Sequence, residues 1–241
     1  MRQMITLTIN GKKYKAEEGQ NLLQVALDNG IEIPHLCYHE KLTPYGGCRL
    51  CLVEVSNRKK TTMTTSCTYP AAQGIKVETD TPQVRKARQR VMEMILALAP
   101  DSPGIQRQAH DLGIVKPGFT VESDGCIRCG LCVRACGELV GLNTITFACK
   151  GAKRKVEPPY DEEAKSCIGC STCVVICPTG CLKMKDLGEE RRIDKWKRVM
   201  EMKKCTECSL PYIPQPQVEF IMDKALERPP EDWFQKCPDC R

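Results

Sequence analysis

Aromatic residues and long apolar runs are scarce in this sequence. Phe, Trp and Tyr together make up 5% of its 241 residues, so a core built on aromatic packing would be thin. No stretch approaches the roughly 18 apolar residues that signal a membrane-spanning helix, and no apolar signal peptide is present. We therefore expect a cytoplasmic protein, in a compartment where cysteine thiols stay reduced.

The sequence also lacks the motifs of an enzyme that works alone. It contains no Gly-x-Gly-x-x-Gly loop for a dinucleotide and no convincing set of nucleophile and acid–base residues. The net charge of +6 is modest. Short basic runs such as residues 153–155 are better explained as solvated surface, or as a face for an acidic partner subunit, than as a nucleic-acid site.

Cysteine is the residue present in excess. The 18 cysteines fall mostly into four spaced groups, which is typical of metal binding in a reducing compartment. Metal ligation must then supply part of the folding free energy. We predict an α+β protein of four parts: a β-grasp [2Fe–2S] domain at 1–82, a helical linker at 83–122, a ferredoxin-like domain with two [4Fe–4S] clusters at 123–186, and a small module of cysteine knuckles at 187–241.

The third part carries the most specific pattern. Residues 126–136 and 167–177 each read Cys-x2-Cys-x2-Cys-x3-Cys. In two-cluster ferredoxins the fourth cysteine of each run binds the other cluster, so we predict crossed ligation. The first [4Fe–4S] cluster would be held by Cys126, Cys129, Cys132 and Cys177. The second would be held by Cys136, Cys167, Cys170 and Cys173. Zinc is a weak alternative, because zinc sites rarely use this spacing.

The N-terminal part predicts a sheet followed by a four-cysteine site. Residues 1–10 alternate in polarity, Asn10-Gly11 signals a tight hairpin, and residues 21–29 have the pattern of a helix. A hairpin followed by a helix is a β-grasp order. A [2Fe–2S] cluster needs four thiolates, and the next segment supplies Cys37, Cys48, Cys51 and Cys67. A zinc site is the alternative interpretation.

Small residues lie inside the cysteine loops. They leave room for the backbone to approach sulfur and donate N–H groups to it. These residues are Gly46, Gly47, Gly130, Gly169 and Ser171. Cys149 and Cys181 fall outside every motif, and we interpret both as small buried apolar residues.

The tail contains two further knuckles, Cys205-x2-Cys208 and Cys237-x2-Cys240. Taken alone, paired knuckles favour zinc. In a chain of redox centres, an additional [4Fe–4S] or [2Fe–2S] cluster is equally plausible. The two interpretations remain open from the sequence. The tail's two tryptophans, Trp196 and Trp233, are expected to fill a small core.

Two segments around the first cysteine group resemble a known family. Residues 33–39, Ile-Pro-His-Leu-Cys-Tyr-His, and residues 42–55, Leu-Thr-Pro-Tyr-Gly-Gly-Cys-Arg-Leu-Cys-Leu-Val-Glu-Val, are similar to the N-terminal [2Fe–2S] domain of the complex I large iron–sulfur subunit. The same domain occurs in the diaphorase subunits of NAD-reducing hydrogenases and at the N-terminus of iron-only hydrogenases. The resemblance covers residues 1–186 and leaves the tail outside.

The resemblance has one gap, in the linker. A helix is expected at 84–98, with basic residues on one side and an apolar side made of Val91, Met94, Ile95 and Leu98. In the family, a cluster bound by one His and three Cys follows this helix, but the sequence has no cysteine between Cys67 and Cys126. We therefore expect no cluster there and an exposed His110 without a metal role.

Two histidines flank the first cysteine of the N-terminal site. His35 and His39 would permit a Rieske-type site, in which two histidines replace two cysteines. Because four cysteines are already available there, we expect these histidines to lie near the site or on the surface and not to bind iron.

The resemblance implies an electron-transfer subunit and not a catalyst. We expect a role in a multisubunit NAD(P)-linked hydrogenase, including the electron-bifurcating kind, with reduction potentials on the order of −400 mV. The implied partners are a flavin subunit that oxidises NAD(P)H, a thioredoxin-like [2Fe–2S] subunit, hydrogenase subunits and ferredoxin. A formate dehydrogenase or an NADH:ferredoxin transhydrogenase would use the same module. More distant alternatives are a succinate or fumarate enzyme subunit and a zinc-binding scaffold.

Overall fold

The computed structural model describes residues 3–58, 60–230 and 232–241. The chain divides into two compact units, and it passes from one to the other between Leu131 and Cys132. The first two residues of the alternating segment 1–10 lie outside the described residues.

The first unit contains a mixed five-stranded sheet in the order β2-β1-β5-β3-β4. Its strands are β1 (Met4–Ile9), β2 (Lys12–Glu17), β3 (Leu52–Ser56), β4 (Thr61–Thr65) and β5 (Lys76–Glu78). β1 runs parallel to β5, and the other neighbouring strands are antiparallel. The strands alternate in burial because one face packs on the core.

The predicted hairpin joins β1 to β2. Asn10 and Gly11 take φ angles of 48° and 80°, the two left-handed residues that a type I′ turn requires. The Asn10 side chain also bonds to the end of β5: its amide donates to Thr79 Oγ1 at 2.8 Å, and its Oδ1 accepts from the Thr79 N–H at 2.9 Å.

Helix α1 (Leu22–Asp28) packs on this sheet. The side-chain oxygen of Asn21 accepts from the Gln24 N–H at 2.8 Å, which caps the helix. The apolar side chains of α1 join the inward residues of the strands in one core. Its members include Ile5, Leu7, Leu22, Leu23, Val25, Val53, Val55 and Val77.

Two more helices complete the first unit, α2 (Pro82–Leu98) and α3 (Pro103–Asp111). Helix α2 begins two residues earlier than expected, because Thr81 Oγ1 accepts from the Val84 N–H at 3.2 Å and proline suits the first helical turn. The expected division of its faces is partly wrong. Arg88 is buried, whereas Met94 is 52% exposed.

Helix α4 (Leu131–Arg134) leads into the second unit and continues as a π-helical turn, Ala135–Val140. The other elements are β6 (Thr146–Ala148), β7 (Lys155–Glu157), α5 (Thr172–Val175), β8 (Lys185–Leu187), β9 (Glu190–Ile193), β10 (Arg198–Lys204), β11 (Pro211–Pro214) and α6 (Gln215–Lys224). Strands β8 to β11 form an antiparallel sheet in sequence order. No helix among the described residues is both long enough and apolar enough to cross a membrane.

Candidate metal centres

The four cysteines of the N-terminal site are all buried. The N–H of Cys48 donates to Cys37 Sγ at 3.3 Å. Hydrogen bonds from the thiols of Cys48 and Cys67 lower the pKa of Cys37, and a bond from Cys67 lowers the pKa of Cys51 to about 6. The four sulfurs are therefore linked through short contacts. Soft thiolates with little access to water are the donors that an iron–sulfur cluster requires.

Strand pairing brings the last two of these cysteines together. Leu52 of β3 lies opposite Thr65 of β4, so Cys51 and Ser66 are neighbours just beyond the pair. The backbone N–H and the hydroxyl of Ser66 both donate to the Cys51 carbonyl, each at 2.9 Å. Cys67 follows in a single 3-10 turn, Ser66–Thr68. Pairing of β3 with β4 thus determines the separation of two ligands that lie far apart in sequence.

The glycines of this loop are required by protein neighbours. Gly46 has a φ of 68°, and a Cβ at Gly47 would lie 2.6 Å from the ring of Tyr45. The backbone oxygen of Cys129 lies 3.7 Å from the same Cβ position. The loop of the N-terminal site therefore approaches the backbone of the first ferredoxin-type loop. The expected approach of these glycines to sulfide stays a prediction.

The two ferredoxin-type loops share an unusual backbone. Arg128 and Gly130 flank Cys129 with φ angles of 54° and 75°. Gly169 and Ser171 flank Cys170 in the same way, with φ angles of 73° and 62°. Both loops therefore bend through left-handed residues on each side of the middle cysteine, although only two of the four are glycine. Sequence reasoning noticed the small residues but missed this role of Arg128.

Four cysteines of the second unit line one cavity. These are Cys136, Cys167, Cys170 and Cys173, the same four that crossed ligation assigns to the second [4Fe–4S] cluster. Most of the remaining lining is apolar, with Ile145, Ile168, Ile193 and Trp196 among it. Thiolate donors in an apolar enclosure fit an iron–sulfur cluster. The ligand assignment itself stays a prediction.

Trp196 has a polar contact within this cavity. Its side chain is 1% exposed, and its indole N–H donates to Cys173 Sγ at 3.5 Å. Burial raises the pKa of the Cys173 thiol to about 11, and the indole hydrogen bond opposes that rise. Sequence reasoning expected this tryptophan only to fill a core. The order of residues along the chain could not show that its ring nitrogen points at a ligand sulfur.

Cys136 is positioned by the π-helical turn that follows α4. Its neighbour Gly137 lies against Asn143, and a Cβ at this glycine would collide with Asn143 Oδ1. This contact explains why glycine stands here, where the second motif has proline at position 178. Gly141 ends the turn with a φ of 81°. Single π-helical turns within helices are found frequently at functional sites.

The ligands predicted for the first [4Fe–4S] cluster are divided between the two units. Cys126 and Cys129 belong to the first unit, whereas Cys132 and Cys177 belong to the second. Cys177 Sγ lies 3.7 Å from Cys181 Sγ, and hydrogen bonds from Cys181 and Thr179 lower the pKa of Cys177 to about 4. The assignment of this set stays a prediction.

The two cysteines outside the motifs are not the buried residues that were expected. Cys149 is exposed, and Cys181 is half-buried beside Cys177. The prediction was therefore wrong for Cys149. For Cys181, the sequence could not show the contact with a predicted ligand.

The four tail cysteines converge. Their Sγ atoms all lie within 4.8 Å of one another. Cys205 and Cys237 are buried, while Cys208 is exposed. Backbone N–H groups of Cys208 and Cys237 donate to the Cys205 thiol and lower its pKa to about 6. The paired knuckles therefore form one compact thiolate site.

The three histidines make local contacts. His35 Nδ1 donates to the Ile33 carbonyl at 2.8 Å, and His39 Nδ1 accepts from the Lys41 N–H at 3.1 Å. His110 is exposed near the end of α3, as expected. Both nitrogens described near the cysteine loop are therefore used in turns of the backbone.

Comparisons with known proteins agree with this distribution of cysteines. Residues 2–82 match a family described as a 2Fe-2S iron-sulfur cluster binding domain, and residues 166–210 match a 4Fe-4S dicluster domain. The chain is 32% identical over 218 residues to an iron–sulfur subunit of the NADH-quinone oxidoreductase from Rickettsia prowazekii, covering 80% of this chain and 32% of that protein. The chain is homologous to the N-terminal part of the complex I large iron–sulfur subunit.

Two further similarities define its extent. The chain is 30% identical over 214 residues to the mitochondrial NADH dehydrogenase [ubiquinone] iron-sulfur protein 1 of Solanum tuberosum, covering 78% of this chain and 29% of that protein. It thus spans about a third of the length of the complex I relatives it matches. It is also similar to a chain in a crystal structure of NAD+-reducing [NiFe]-hydrogenase in the H2-reduced state, with 26% identity, a TM-score of 0.64, and coverage of 73% of this chain and 85% of that one.

Proposed function

We propose that this chain is the electron-transfer iron–sulfur subunit of a cytoplasmic, multisubunit, NAD(P)-linked hydrogenase, including the electron-bifurcating kind. The observation that carries the proposal is the extent of the similarities. The chain matches 85% of the chain from the NAD+-reducing hydrogenase but only 32% of the complex I protein from Rickettsia prowazekii. A subunit with the organisation of the hydrogenase chain accounts for the match better than a complex I subunit does.

The residues of the chain would hold three clusters. Cys37, Cys48, Cys51 and Cys67 would hold a [2Fe–2S] cluster, which agrees with the family match over residues 2–82. Crossed ligation would assign Cys136, Cys167, Cys170 and Cys173 to one [4Fe–4S] cluster, which the shared cavity supports. Cys126, Cys129, Cys132 and Cys177 would hold the other. When bound, such clusters accept and release single electrons at low potential.

The protein around these cysteines controls the electrostatics of the sites. Backbone and indole N–H groups donate to sulfur, as at Cys37 and Cys173, and such bonds favour the more negative charge of a reduced centre. Apolar side chains limit the access of water to the cavity around Cys136. A flavin subunit, a thioredoxin-like [2Fe–2S] subunit, hydrogenase subunits and ferredoxin are the proposed partners.

The first experiment is anaerobic purification of the native complex, followed by mass spectrometry of the co-purifying chains. We expect a flavin-binding NAD(P)H subunit together with nickel–iron hydrogenase subunits. A molybdenum enzyme in their place would redirect the proposal to formate dehydrogenase, and a membrane-anchored flavoprotein would redirect it to a succinate or fumarate enzyme. A flavin subunit and ferredoxin alone would indicate a transhydrogenase.

A variant of the complex tests the relay itself. We expect Cys136→Ser to abolish hydrogen-dependent reduction of NAD(P)+, while reduction of a one-electron dye directly at the hydrogenase subunits persists. The matched control is Cys149→Ser, which changes an exposed cysteine outside every motif. Full NAD(P)+ reduction by an intact complex carrying Cys136→Ser would contradict the proposed role.

A further inference from the structure

The tail site differs in geometry from a cluster site. All four Sγ atoms of Cys205, Cys208, Cys237 and Cys240 lie within 4.8 Å of one another. The distance from Cys208 Sγ to Cys237 Sγ, which joins the two knuckles, is 3.8 Å. The spacing between the knuckles is therefore as short as a spacing within one coordination sphere.

This separation matches a single tetrahedral ion. With a zinc–sulfur bond of about 2.3 Å, the edge of a regular ZnS4 tetrahedron is about 3.8 Å. In a [4Fe–4S] cube, each thiolate binds a different iron and points away from the centre, so the four sulfurs must stand farther apart than the irons. In a [2Fe–2S] cluster, two thiolates bind each iron, so the sulfurs of opposite pairs are separated by the whole Fe2S2 core. Neither cluster fits inside a set of mutually close sulfurs.

The N-terminal site provides an internal comparison. Cys37, Cys48, Cys51 and Cys67 all lie in the described part of the chain, and they do not form a set in which all ligand atoms are within 4.8 Å. Over residues 3–58, 60–230 and 232–241, the tail cysteines are the only group of three or more possible ligands that does. The close spacing is thus specific to the tail and not a general property of cysteine loops in this protein.

The backbone around the tail site holds the two knuckles in place. Cys205 follows the last residue of β10, and its N–H donates to the Leu210 carbonyl at 3.0 Å, which closes the first knuckle. Ser209 makes the turn with a φ of 61°. The second knuckle docks through the Cys237 N–H, which donates to Cys205 Sγ at 3.3 Å.

Further contacts join the segments that carry the knuckles. The Thr206 N–H donates to the Gln235 carbonyl at 2.9 Å, and Lys236 pairs with Glu207 at 2.7 Å. The Tyr212 hydroxyl donates to the Phe234 carbonyl at 2.7 Å. These bonds position both knuckles independently of the sulfurs, as expected for a closed structural site with four protein ligands.

The family match to a dicluster domain does not require a cluster here. That match covers residues 166–210, so it includes Cys205 and Cys208 but neither cysteine of the second knuckle. Two cysteines cannot complete a cluster by themselves, and the structure supplies the other two from Cys237 and Cys240 at single-ion distances.

We propose that Cys205, Cys208, Cys237 and Cys240 bind one structural zinc ion and not an iron–sulfur cluster. Zinc has no redox chemistry, so the tail lies outside the electron relay. The ion joins the end of β10 to the last residues of the chain and thereby closes a loop that contains β11 and α6. This inference rests on the sulfur geometry and stands whichever enzyme complex the subunit serves.

The test combines metal analysis with X-ray absorption on the full chain, purified anaerobically. We expect one zinc and about ten iron atoms per chain, as for one [2Fe–2S] and two [4Fe–4S] clusters. The zinc absorption edge should report four sulfur neighbours at about 2.3 Å. Iron at about 12 or 14 atoms with no zinc would overturn the proposal, and so would a zinc edge with nitrogen or oxygen neighbours.

Variants separate the tail site from the clusters. Cys240→Ser, close to the chain end, should remove the zinc while the iron content and the electron paramagnetic spectrum of the reduced protein stay unchanged. Cys149→Ser is the matched control and should keep both metals. Loss of two or four iron atoms in Cys240→Ser would show that the tail binds a cluster. Because the absorption measurement uses the unaltered protein, the proposal remains testable even if the variant misfolds.

Discussion

The indole nitrogen of Trp196 donates its proton to the sulfur of Cys173 at 3.5 Å. The tryptophan is 1% exposed, and both residues line the cavity that also contains Cys136, Cys167 and Cys170. A residue from the sheet region of the second unit is thus in direct contact with a predicted ligand. Its hydrogen bond places a partial positive charge next to sulfur, where an added electron would be stabilised.

Trp196→Phe should lower the reduction potential of the centre held by Cys173. The variant keeps an aromatic ring but removes the N–H that favours the more negative, reduced state. A hydrogen bond to a charged group contributes about 1.5 to 3 kcal/mol, and 59 mV corresponds to about 1.4 kcal/mol for one electron, so we expect a decrease on the order of 20–60 mV. Redox titration followed by electron paramagnetic resonance measures it.

The control for this variant is Trp233→Phe. Trp233 is 48% exposed and stacks with the Arg241 guanidinium, 4.4 Å from the ring centroid. We expect it to leave the potential unchanged. An unchanged potential in a well-folded Trp196→Phe protein would mean that Trp196 serves only the packing of the core.

Arg88→Met should lower the reduction potential of the N-terminal [2Fe–2S] site. Arg88 is 5% exposed and donates to the Leu52 carbonyl at 2.6 Å, one residue beyond Cys51. Burial lowers its pKa from the usual arginine value, but the group remains protonated at neutral pH. Removing a buried positive charge disfavours the reduced state, and we expect a shift on the order of tens of millivolts. Spectroscopic redox titration gives the value.

Arg85→Met is the matched control for Arg88→Met, because Arg85 lies on the same helix but is exposed and pairs with Asp80 at the surface. Solvent screens exposed charges, so its removal should have little effect on the potential. Equal shifts in both variants would show that the effect reflects net charge and not the buried position.

Gly137→Ala should destabilise the segment that presents Cys136. The new methyl group would collide with Asn143 Oδ1, and overpacking of this kind costs about 1–3 kcal/mol. We expect a lower melting temperature and loss of about four iron atoms per chain. Gly118→Ala is the control, because no atom lies within 4 Å of its Cβ position. Shortening Asn143 to Ser in the Gly137→Ala protein should restore the iron, and failure to do so would implicate another cause.

Crossed ligation makes a prediction about pairs of variants. Cys136→Ser should damage the same centre as Cys167→Ser, although the two cysteines belong to different motifs. Cys177→Ser should damage the same centre as Cys126→Ser. Mössbauer spectra of the four proteins identify which centre each change affects, with Cys149→Ser as the unaffected reference. Damage confined to the centre of each cysteine's own motif would contradict the assignment.

Local features of the fold could be predicted because they depend on neighbours in sequence. The Asn10-Gly11 turn and the Asn21 cap follow from the preference of short polar residues and glycine for particular backbone conformations. Expected helix faces were less reliable. Arg88 is buried because the guanidinium reaches a strand carbonyl outside its own helix, and no helical periodicity contains that information.

The sequence by itself determined the four groups of cysteines, their resemblance to iron–sulfur proteins and the conformations of single turns, since each depends on the chemistry of adjacent residues. Tertiary structure alone decided which sulfurs lie together, that Trp196 points at Cys173, and how far apart the tail cysteines are. Cysteine spacing limits the ligands within one loop, but distances between loops depend on how strands β9 to β11 and the knuckles pack. A metal or cluster is selected by those distances.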